Sequence, residues 1–571
     1  MASRLEAELH LVSPEIPFRA SSNYAHHTWA RTFHSYPELY LRPQTLLEIQ
    51  KIVTLAKRCR RRIVVVGSGH SPSDLTCTSS WLVNLDDFAE VLGAEPEKKR
   101  ITVQGGIRLR DLNLAAKEYG LTMRNLGSID EQSIVGAIST ATHGSSLEHG
   151  LMSQSVKSLR IVLANGQVVS CSESQNTDLF RAALVSLGAL GIIVEVEFEL
   201  ITHTNIEWTQ TLFPLDDVLT DWESTLWRSA EFTRVWWLPY MKRAIVWRAV
   251  RTDKPPRPPM SNWYGGSIGY HTYHILLWMS NYVPRILPAI EWFVFGMQYG
   301  FKDYTSTTGV EEMRTGLLMN CLYSQFVNEW ALPLHKGPET ITRLSAWLNG
   351  EPESKHRIPF SARGLYVHCP VEVRVSDTTT APTRAFLDNT VEDGPTLYLN
   401  ATLYRPYLQD PPCRERYYEA FEWLMKEMGA KPHWAKNFST VTQPEIHAMF
   451  GTNLTSYLRV RNEVDPDGQF VGPWHRRYIL PADSLGGLPI EEREVNRRPA
   501  KSGGVVWYGE QAPRKLSPTS SGSELSFDLM AGAEAESTLL NESDYEYSHV
   551  EHLTHGSHNL TYTGTEVFNK M

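Results

Sequence analysis

The stretch RRIVVVGSGHSPSD (61–74) constrains the fold more than any other part of the chain. Its run Ile63–Val66 predicts a short buried strand, and the glycines after it predict a tight turn. The dinucleotide-binding fingerprint fails here, because Pro72 and Ser73 follow and no third glycine fits. A glycine turn after a strand still exposes backbone N–H groups that can bind a diphosphate. The alternative is an ordinary strand-to-helix turn in which His70 is a surface histidine.

A second stretch, NLGSIDEQSIVGAISTATHGSS (125–146), consists largely of Gly, Ala, Ser and Thr. Small residues let the backbone approach a large planar ligand, and their hydroxyl and N–H groups supply hydrogen bonds. The alternative is a site where small residues let a helix pack closely. Two such stretches about 60 residues apart favour a ligand site.

The remaining pattern up to residue 203 mixes helices and strands, which predicts an α+β domain. Thr45 and Glu48 form the pattern of a capping box before an amphipathic helix. Asn165-Gly166 lies between two alternating runs and predicts a hairpin. The sequences WLVNLDDF and KRITVQGGI predict strands, and RLRDLNLAAKEYG predicts a helix. The sequence TDLFRAALVSLGALGIIVEVEFEL predicts a helix, a glycine break and a long strand.

Beyond residue 204 the chain is rich in aromatic residues and predicts a second α+β domain. The segment from Arg257 to about residue 301 holds many Trp and Tyr residues but no secure membrane-spanning stretch. It predicts either a patch at a membrane interface or aromatic core helices. From about residue 485 the composition turns to Ser, Gly and Glu, which predicts disorder.

Composition limits the classes of function. A chain of 571 residues needs two or three domains, and its formal charge of -9 argues against nucleic acid as a partner. Six scattered cysteines without a CxxC spacing predict reduced thiols and no metal site. The N-terminal segment has no apolar core, so no signal peptide is expected.

Six motifs together resemble one flavoprotein family. They are VVVGSGHSPSD, NLGSIDEQSIVGAISTATHG, SLGALGIIVEVEFEL, HCPVEVRVSD (368–377), KPHWAK (431–436) and VDPDGQF (464–470). In this order they resemble the vanillyl-alcohol oxidase family, and within it the aldonolactone oxidases. The resemblance covers about residues 20–480.

The resemblance implies a two-domain α+β flavoprotein. An FAD-binding domain would span 20–203, and a cap domain that shapes the substrate pocket would span 204–430. Residues 431–484 would return to the FAD-binding domain. The tail, 485–571, has no counterpart in the resemblance.

The resemblance also implies FAD as the cofactor, joined covalently to His70 through the 8-methyl carbon of its ring. The alternative is that His70 only packs against that edge of the ring. Gly127 would lie where a missing methyl group gives dioxygen a path to the flavin, or it would only serve its turn. The full set of expected FAD-binding residues is Gly67, Ser68, Gly69, His70, Ser71, Gly127, Ser128, Gly136, Ser139, Thr142, His143 and Ile193.

Three residues are expected to be catalytic by the same resemblance. Glu372 and Arg374 alternate on a predicted strand and so share one face. Arg374 would stabilise negative charge on the substrate, and Glu372 would hold the sugar hydroxyls. Lys436 would reach the flavin or the substrate, with His433 supporting it. The alternative for the Glu-x-Arg pair is a surface ion pair.

The implied function is oxidation of an aldono-1,4-lactone at C2 by FAD, with dioxygen as acceptor and hydrogen peroxide as a product. Two alternatives stay open: a dehydrogenase that passes electrons to a cytochrome, and a catalytically silent flavin-binding interaction protein. The implied location is the mitochondrial membrane, facing the cytoplasm, through peripheral association.

Overall fold

The structure is a computed structural model that describes residues 2–260, 262–319, 321–368, 370–480 and 506–508. The elements of its N-terminal domain, in chain order, are α1 (Ala2–Leu11), β1 (Ala20–Ser22), β2 (His26–His27), β3 (His34–Ser35), β4 (Leu39–Leu41), α2 (Leu46–Cys59), β5 (Ile63–Val66), β6 (Trp81–Asn84), β7 (Val91–Glu95), β8 (Arg100–Gln104), α3 (Leu109–Glu118), β9 (Leu121–Thr122), α4 (Ile134–Ser139), β10 (Val156–Val162), β11 (Val168–Ser172), α5 (Thr177–Ala183), β12 (Ile192–Glu199) and β13 (Ile201–Thr202).

The second, or cap, domain and the C-terminal segment follow. Their elements are β14 (Asn205–Pro214), α6 (Leu215–Thr220), β15 (Phe232–Leu238), β16 (Arg243–Thr252), α7 (Ser267–Tyr282), α8 (Leu287–Tyr299), β17 (Ser306–Glu312), α9 (Met313–Leu317), β18 (Gln325–Pro333), α10 (Gly337–Leu348), α11 (Glu353–His356), β19 (Val371–Ser376), β20 (Thr396–Tyr404), α12 (Arg414–Glu427), β21 (Lys431–Pro432), α13 (Gln443–Val464), α14 (Pro473–Tyr478) and β22 (Val506–Tyr508).

The first sheet of the N-terminal domain has the strand order β22-β1-β4-β6-β5. Strands β4, β6 and β5 are parallel, and α2 connects β4 to β5. The apolar face of α2 packs on this sheet, with Ile49, Ile52, Val53 and Ala56 almost fully buried. This geometry brings the glycine turn after β5 to the end of a rigid strand.

The N-terminus of α2 differs in one detail from the predicted capping box. The Thr45 side chain accepts the backbone N–H of Glu48, as predicted. The Glu48 carboxylate accepts the backbone N–H of Gln44 and pairs with Arg19. The second hydrogen bond of the predicted capping box, from the backbone N–H of Thr45 to the Glu48 carboxylate, is therefore wrong. Arg19 and the N–H of Gln44 hold that carboxylate instead.

The second sheet is antiparallel, with the order β11-β10-β12-β8-β7. The predicted hairpin is β10 and β11, and Gly166 at its tip has a φ of +80°. That left-handed conformation suits glycine because it has no Cβ. Strand β13 pairs with β9 of the N-terminal domain, and β14 already belongs to the next large sheet.

The cap domain is built on an eight-stranded antiparallel sheet with the order β17-β14-β16-β15-β19-β20-β18-β21. Strands β15, β18 and β20 are buried along nearly their whole length. One face of this sheet lies toward the N-terminal domain, where Glu329 contacts His143 and Arg374 contacts Ser128.

The small-residue stretch of the N-terminal domain enters the cap sheet. The Ser145 hydroxyl donates to the carbonyl of Thr233 on β15 and accepts the N–H of Val375 on β19 at 3.2 Å. The N–H of Ser146 donates to the carbonyl of Val375 at 2.9 Å. The two domains therefore share main-chain hydrogen bonds at this point.

The C-terminal segment returns to the N-terminal domain after β21. Tyr457 donates its hydroxyl to the carbonyl of Ser186 at 2.6 Å, and the carbonyl of Gln469 accepts the N–H of Ile63 at 2.7 Å. The predicted disordered tail lies outside the described residues apart from β22, which pairs antiparallel with β1. The expectation of disorder was for most of the tail, and these three residues pair along the open edge of β1.

In the described part of the chain, no helix is long and apolar enough to cross a bilayer. The five described cysteines, Cys59, Cys77, Cys171, Cys321 and Cys413, form no disulfide with one another.

Candidate active site

A cleft in the N-terminal domain lies between the turn after β5 and the helix α4. It is lined by backbone and small side chains of residues 64–71, 132–140 and 186–193, with Phe470 and His475 from the C-terminal segment. Eight of the expected FAD-binding residues line this one cleft: Gly67, Ser68, Gly69, His70, Ser71, Gly136, Ser139 and Ile193.

Two glycines explain how the turn lines the cleft. Gly69 has a φ of +66°, a left-handed conformation that a side chain would strain. A Cβ on Gly67 would lie 2.2 Å from the Ser133 hydroxyl oxygen, so only glycine lets the turn approach the start of α4. The result is a narrow, backbone-lined cleft of the kind that a dinucleotide cofactor needs.

His70 lies in this cleft, half-buried, with its ring stacked on Trp29 at a centroid distance of 5.2 Å. Its Nδ1 is shielded from solvent and has no hydrogen-bond partner among the described residues. Burial lowers the pKa of His70 to about 3, and the positive charges of Arg108 and Lys436 act in the same direction. The imidazole is therefore neutral, with a nitrogen free for a ligand. This free nitrogen and the backbone-lined cleft fit FAD.

The inward face of the cap sheet carries a row of polar residues. Glu372 on β19 lies opposite Trp236 on β15 and Asn400 on β20, and Asn400 lies opposite Glu329 on β18. Side chains two residues apart on a strand share a face, so Arg374 lies on the same face as Glu372. We name six residues the charge cluster: His143, Glu329, Glu372, Arg374, His433 and Lys436.

Glu329 is the centre of the charge cluster. Its Oε1 accepts from Arg374 Nη2 at 2.9 Å and lies 2.8 Å from His143 Nε2, and its Oε2 lies 3.8 Å from Lys436 Nζ. Burial alone would raise the pKa of Glu329, but Arg374, His143 and Lys436 together hold it well below its ordinary value. A fully buried carboxylate thus stays ionised and fixes the guanidinium of Arg374.

The two histidines of the charge cluster are neutral. Burial lowers the pKa of His143, and the nearby Arg374 lowers it further, although Glu329 opposes the shift. Burial likewise lowers the pKa of His433 well below its ordinary value, with Glu329 again opposing. The ring of His143 stacks on the ring of Tyr398 at a centroid distance of 3.4 Å, which fixes the orientation of the imidazole.

Glu372 keeps one oxygen available. Its Oε2 accepts from Asn400 Nδ2 at 3.2 Å and lies 3.5 Å from Arg374 Nε. Its Oε1 is shielded from solvent and has no hydrogen-bond partner among the described residues. Arg374 is only 5% exposed, which excludes the alternative of a surface ion pair.

The charge cluster lies near the cleft, because the charge of Lys436 helps to lower the pKa of His70. Arg374 Nη1 lies 3.4 Å from the Ser128 hydroxyl, and the Gly127 backbone next to it packs against Thr142. Ser128, Gly127, Thr142 and His143 therefore lie at the junction of the domains, apart from the eight residues that line the cleft. The expected catalytic residues Glu372, Arg374 and Lys436 come together there.

Sequence reasoning missed Glu329. The single carboxylate in the apolar strand FVNEWAL was the available indication, because a charge in a buried strand needs a partner. Its partner, Arg374, lies 45 residues further along the chain on β19, and the register of the sheet brings the two side chains together.

His143, Glu329 and His433 place potential metal ligands within 4.8 Å of one another. Arg374 already occupies Glu329 Oε1, and Lys436 lies beside Oε2. A metal cation would add a third positive charge at this carboxylate, so we interpret the group as a hydrogen-bonded charge network.

Comparison with known proteins agrees with this geometry. Residues 37–172 match the family model of an FAD binding domain, and residues 196–478 match that of D-arabinono-1,4-lactone oxidase. A putative D-arabinono-1,4-lactone oxidase of Neurospora crassa is 52% identical over 516 residues, covering 86% of this chain and 93% of that protein. The D-arabinono-1,4-lactone oxidase of Yarrowia lipolytica is 40% identical and covers 78% and 95%.

Among solved structures, a solvent-stable cholesterol oxidase matches with a TM-score of 0.64 and 15% identity, covering 83% of this chain and 99% of that one. At this identity the match shows the fold alone. The cleft, the cap sheet and these matches define an FAD-dependent oxidoreductase with a two-domain α+β fold. The chain belongs to the D-arabinono-1,4-lactone oxidase family.

Proposed function

We propose that the protein oxidises D-arabinono-1,4-lactone, or a close aldonolactone, at its C2 hydroxyl with dioxygen as acceptor. The products would be the dehydro lactone, of the erythroascorbate type, and hydrogen peroxide. The observation that carries the proposal is the buried charge cluster, which joins the cap sheet to the N-terminal domain that contains the cleft. Family membership supports the lactone as substrate.

FAD, when bound, supplies the chemistry of accepting a hydride and returning electrons to dioxygen. The chain's own residues hold the lactone. Arg374, fixed by Glu329, donates hydrogen bonds to the oxygen that gains negative charge at C2. The free Oε1 of Glu372 accepts the C2 hydroxyl and takes its proton. Burial of the charge cluster excludes water and strengthens both interactions.

The experiment is anaerobic stopped-flow reduction of the holoenzyme by D-arabinono-1,4-lactone, with Arg374→Lys as the test variant. An ammonium keeps the charge but loses the planar fork of donors, so we expect reduction to slow by about a hundredfold or more. Arg248→Lys, on β16 two strands away in the same sheet, is the control and should keep the wild-type rate. A reduction rate for Arg374→Lys within about threefold of wild type would contradict the assignment.

We also propose that FAD is joined covalently to His70 through Nδ1. The neutral ring and its free, buried nitrogen support this, because a neutral imidazole nitrogen can act as the nucleophile. Acid precipitation of wild-type protein should leave the yellow chromophore in the pellet, whereas His70→Ala should release it. Complete release from wild-type protein would exclude the bond and favour simple packing of His70 on the ring.

We also propose peripheral association with the mitochondrial membrane, on its cytoplasmic side, and a separate observation supports binding to a membrane surface. Helices α7 and α8 expose an apolar face, which we name the apolar helix face: Ile268, Ile275, Trp278, Met279, Tyr282, Trp292 and Phe293. Contiguous exposed apolar surface with Trp and Tyr is typical of proteins that bind at the membrane interface.

This proposal is tested by co-sedimentation with vesicles of phosphatidylcholine and phosphatidylglycerol. Trp278→Ser combined with Trp292→Ser should shift the protein to the supernatant. Leu47→Ser combined with Leu114→Ser removes two exposed apolar side chains elsewhere and should leave binding unchanged. Equal sedimentation of both double variants would contradict the assignment of this face.

A further inference from the structure

Arg234 is a fully buried arginine beside the charge cluster. It lies on β15 two residues before Trp236, which is opposite Glu372, so its side chain shares the inward face of the cap sheet. The opposite residue on β16 is Trp247, and the Arg234 guanidinium carbon lies 5.5 Å from the centre of that ring. Arg234 is 2% exposed.

The guanidinium of Arg234 makes no ion pair and no hydrogen bond in the part of the chain that the structure describes, although the charge of Glu372 is near enough to act on it. Its Nε and Nη2 are shielded from solvent and make no hydrogen bond to any described residue. Burial lowers the pKa of Arg234 to about 10; Glu372 opposes the shift and Arg374 adds to it. Arg234 still carries its proton at neutral pH.

The number of charges around Arg234 shows why its unpaired guanidinium is significant. The charge cluster contains two cations, Arg374 and Lys436, and two carboxylates, Glu329 and Glu372, while its histidines are neutral. Arg234 adds a third cation. A buried charge without compensation is costly, so this face is built to receive an anion.

The proposed reaction yields such an anion. A 2-keto lactone with a hydroxyl at C3 enolises to an enediol conjugated with the ring carbonyl. That enediol is a vinylogous carboxylic acid, which is ionised at neutral pH, whereas the lactone substrate is neutral. We propose that Arg234 is an anion-recognition residue of the substrate pocket, which binds the enediolate form of the oxidised lactone. This inference rests on the proposed function and adds a second ligand class, five-membered lactone enolates.

The test uses tetronic acid, a five-membered lactone whose enolic hydroxyl is ionised at neutral pH, and its neutral methyl ether. Each is titrated into the oxidised holoenzyme, and binding is followed by the change in the flavin absorption spectrum. Wild-type protein should bind tetronate at least about tenfold more tightly than the ether, since truncating one partner of a buried charge pair costs at least that much. Arg234→Met should lose this preference without weakening binding of the ether.

Two further variants make the result specific. Arg234→Lys keeps the charge and should retain most of the preference. Arg248→Met removes an arginine from the adjacent strand of the same sheet, whose Nε is likewise unpartnered among described residues, and should change neither affinity. Equal wild-type affinity for the two probes, or a preference that survives in Arg234→Met, would overturn the proposal.

The titration does not require turnover. A holoenzyme that binds tetronate through Arg234 but fails to oxidise the lactone would contradict the proposed function and support anion recognition. A holoenzyme that oxidises the lactone but binds both probes equally would support the proposed function and contradict anion recognition by Arg234.

Discussion

At the scale of single residues, the arrangement of Arg374 depends on a buried carboxylate, that of Glu329. Glu329 Oε1 lies within hydrogen-bond distance of both Arg374 and His143, and the carboxylate is fully buried. We therefore infer that Glu329 is a positioning residue that acts through Arg374. Its removal should affect the rate of flavin reduction and the stability of the fold together.

We predict that Glu329→Gln slows anaerobic flavin reduction by lactone about a hundredfold, because the guanidinium of Arg374 loses its anchor. The free energy of unfolding should fall by about 3 to 5 kcal/mol, since one partner of a buried ion pair is left alone. Stopped-flow absorbance measures the rate of flavin reduction, and denaturant unfolding measures the free energy of unfolding.

Glu422→Gln is the matched control. Glu422 is also fully buried and accepts from Asn328, Ser439 and Thr440, but it lies outside the charge cluster. It should lower stability while the reduction rate per bound flavin stays at the wild-type value. A comparable loss of rate in both variants would mean that Glu329 acts only on stability.

We predict that Gly127→Ala slows reoxidation of the flavin by dioxygen at least about tenfold more than its reduction by lactone. The added Cβ would lie 3.0 Å from Thr142 Cγ2, so the methyl group narrows the space next to the site. Separate stopped-flow measurements of the two half-reactions give the ratio.

The double variant Gly127→Ala with Thr142→Ser removes the methyl group that the new Cβ would press against. If crowding of Thr142 causes the defect, the double variant recovers the rate with dioxygen. If the alanine methyl itself blocks the path, the defect persists. Equal slowing of both half-reactions in Gly127→Ala would contradict the oxygen path.

At the scale of elements, α8 is held against the cap domain by a buried carboxyl group. Glu291 Oε1 accepts the N–H groups of Tyr240 and Met241, each at 2.8 Å. Burial raises the pKa of Glu291 to about 8, and the two N–H groups only partly oppose this. The group is therefore largely protonated in the folded protein at neutral pH.

We predict that this residue makes the fold less stable as pH rises from about 4.5 to about 8. In that window the unfolded chain releases the proton while the folded chain keeps it, which favours unfolding. Below the window both states hold the proton and the effect vanishes. Glu291→Gln keeps an acceptor oxygen without ionising, so its melting temperature should exceed that of wild type by a margin that grows from pH 5 to pH 8.

Calorimetry at several pH values measures the difference in melting temperature between Glu291→Gln and wild type. Glu419→Gln, on an exposed position of α12, is the control and should show a margin that does not change with pH in this range. A constant margin for Glu291→Gln would show that its carboxyl group titrates normally.

Local elements were largely predictable from sequence, and their assembly was not. The apolar spacing of α2 and the Asn165-Gly166 turn act over a few residues, so the helix and the hairpin lie where they were predicted. The contact of Glu329 with Arg374 depends on the register of β18, β20 and β19, which no short motif encodes. The aromatic stretch forms α7 and α8, which bury one side, as the alternative of core helices predicted, and expose the other; the membrane-interface patch stays a prediction.

At the scale of the whole molecule, β22 is the part of the tail whose position is described. It lies at one edge of the first sheet, with β1, β4 and β6 between it and β5, which leads into the glycine turn. The cofactor cleft is therefore separated from β22 by three strands.

We predict that deletion of the residues after 490 leaves the flavin-to-protein ratio and lactone turnover within about twofold of wild type. The melting temperature should fall by a few degrees, because β1 loses its hydrogen-bonded neighbour. Absorbance, oxygen uptake and calorimetry check the three quantities. Loss of flavin on deletion would show that the tail supports the cleft.

Because Ser145 and Ser146 hydrogen-bond into β15 and β19, we expect the free energy of cofactor binding to stabilise both domains. The N-terminal domain and the cap should melt as a single cooperative unit, and loading with flavin should raise the hydrogen-exchange protection of both. A cap expressed alone would lack the serine that joins two of its strands. Exchange of caps between relatives would therefore succeed only when the loop containing these serines is transferred with them.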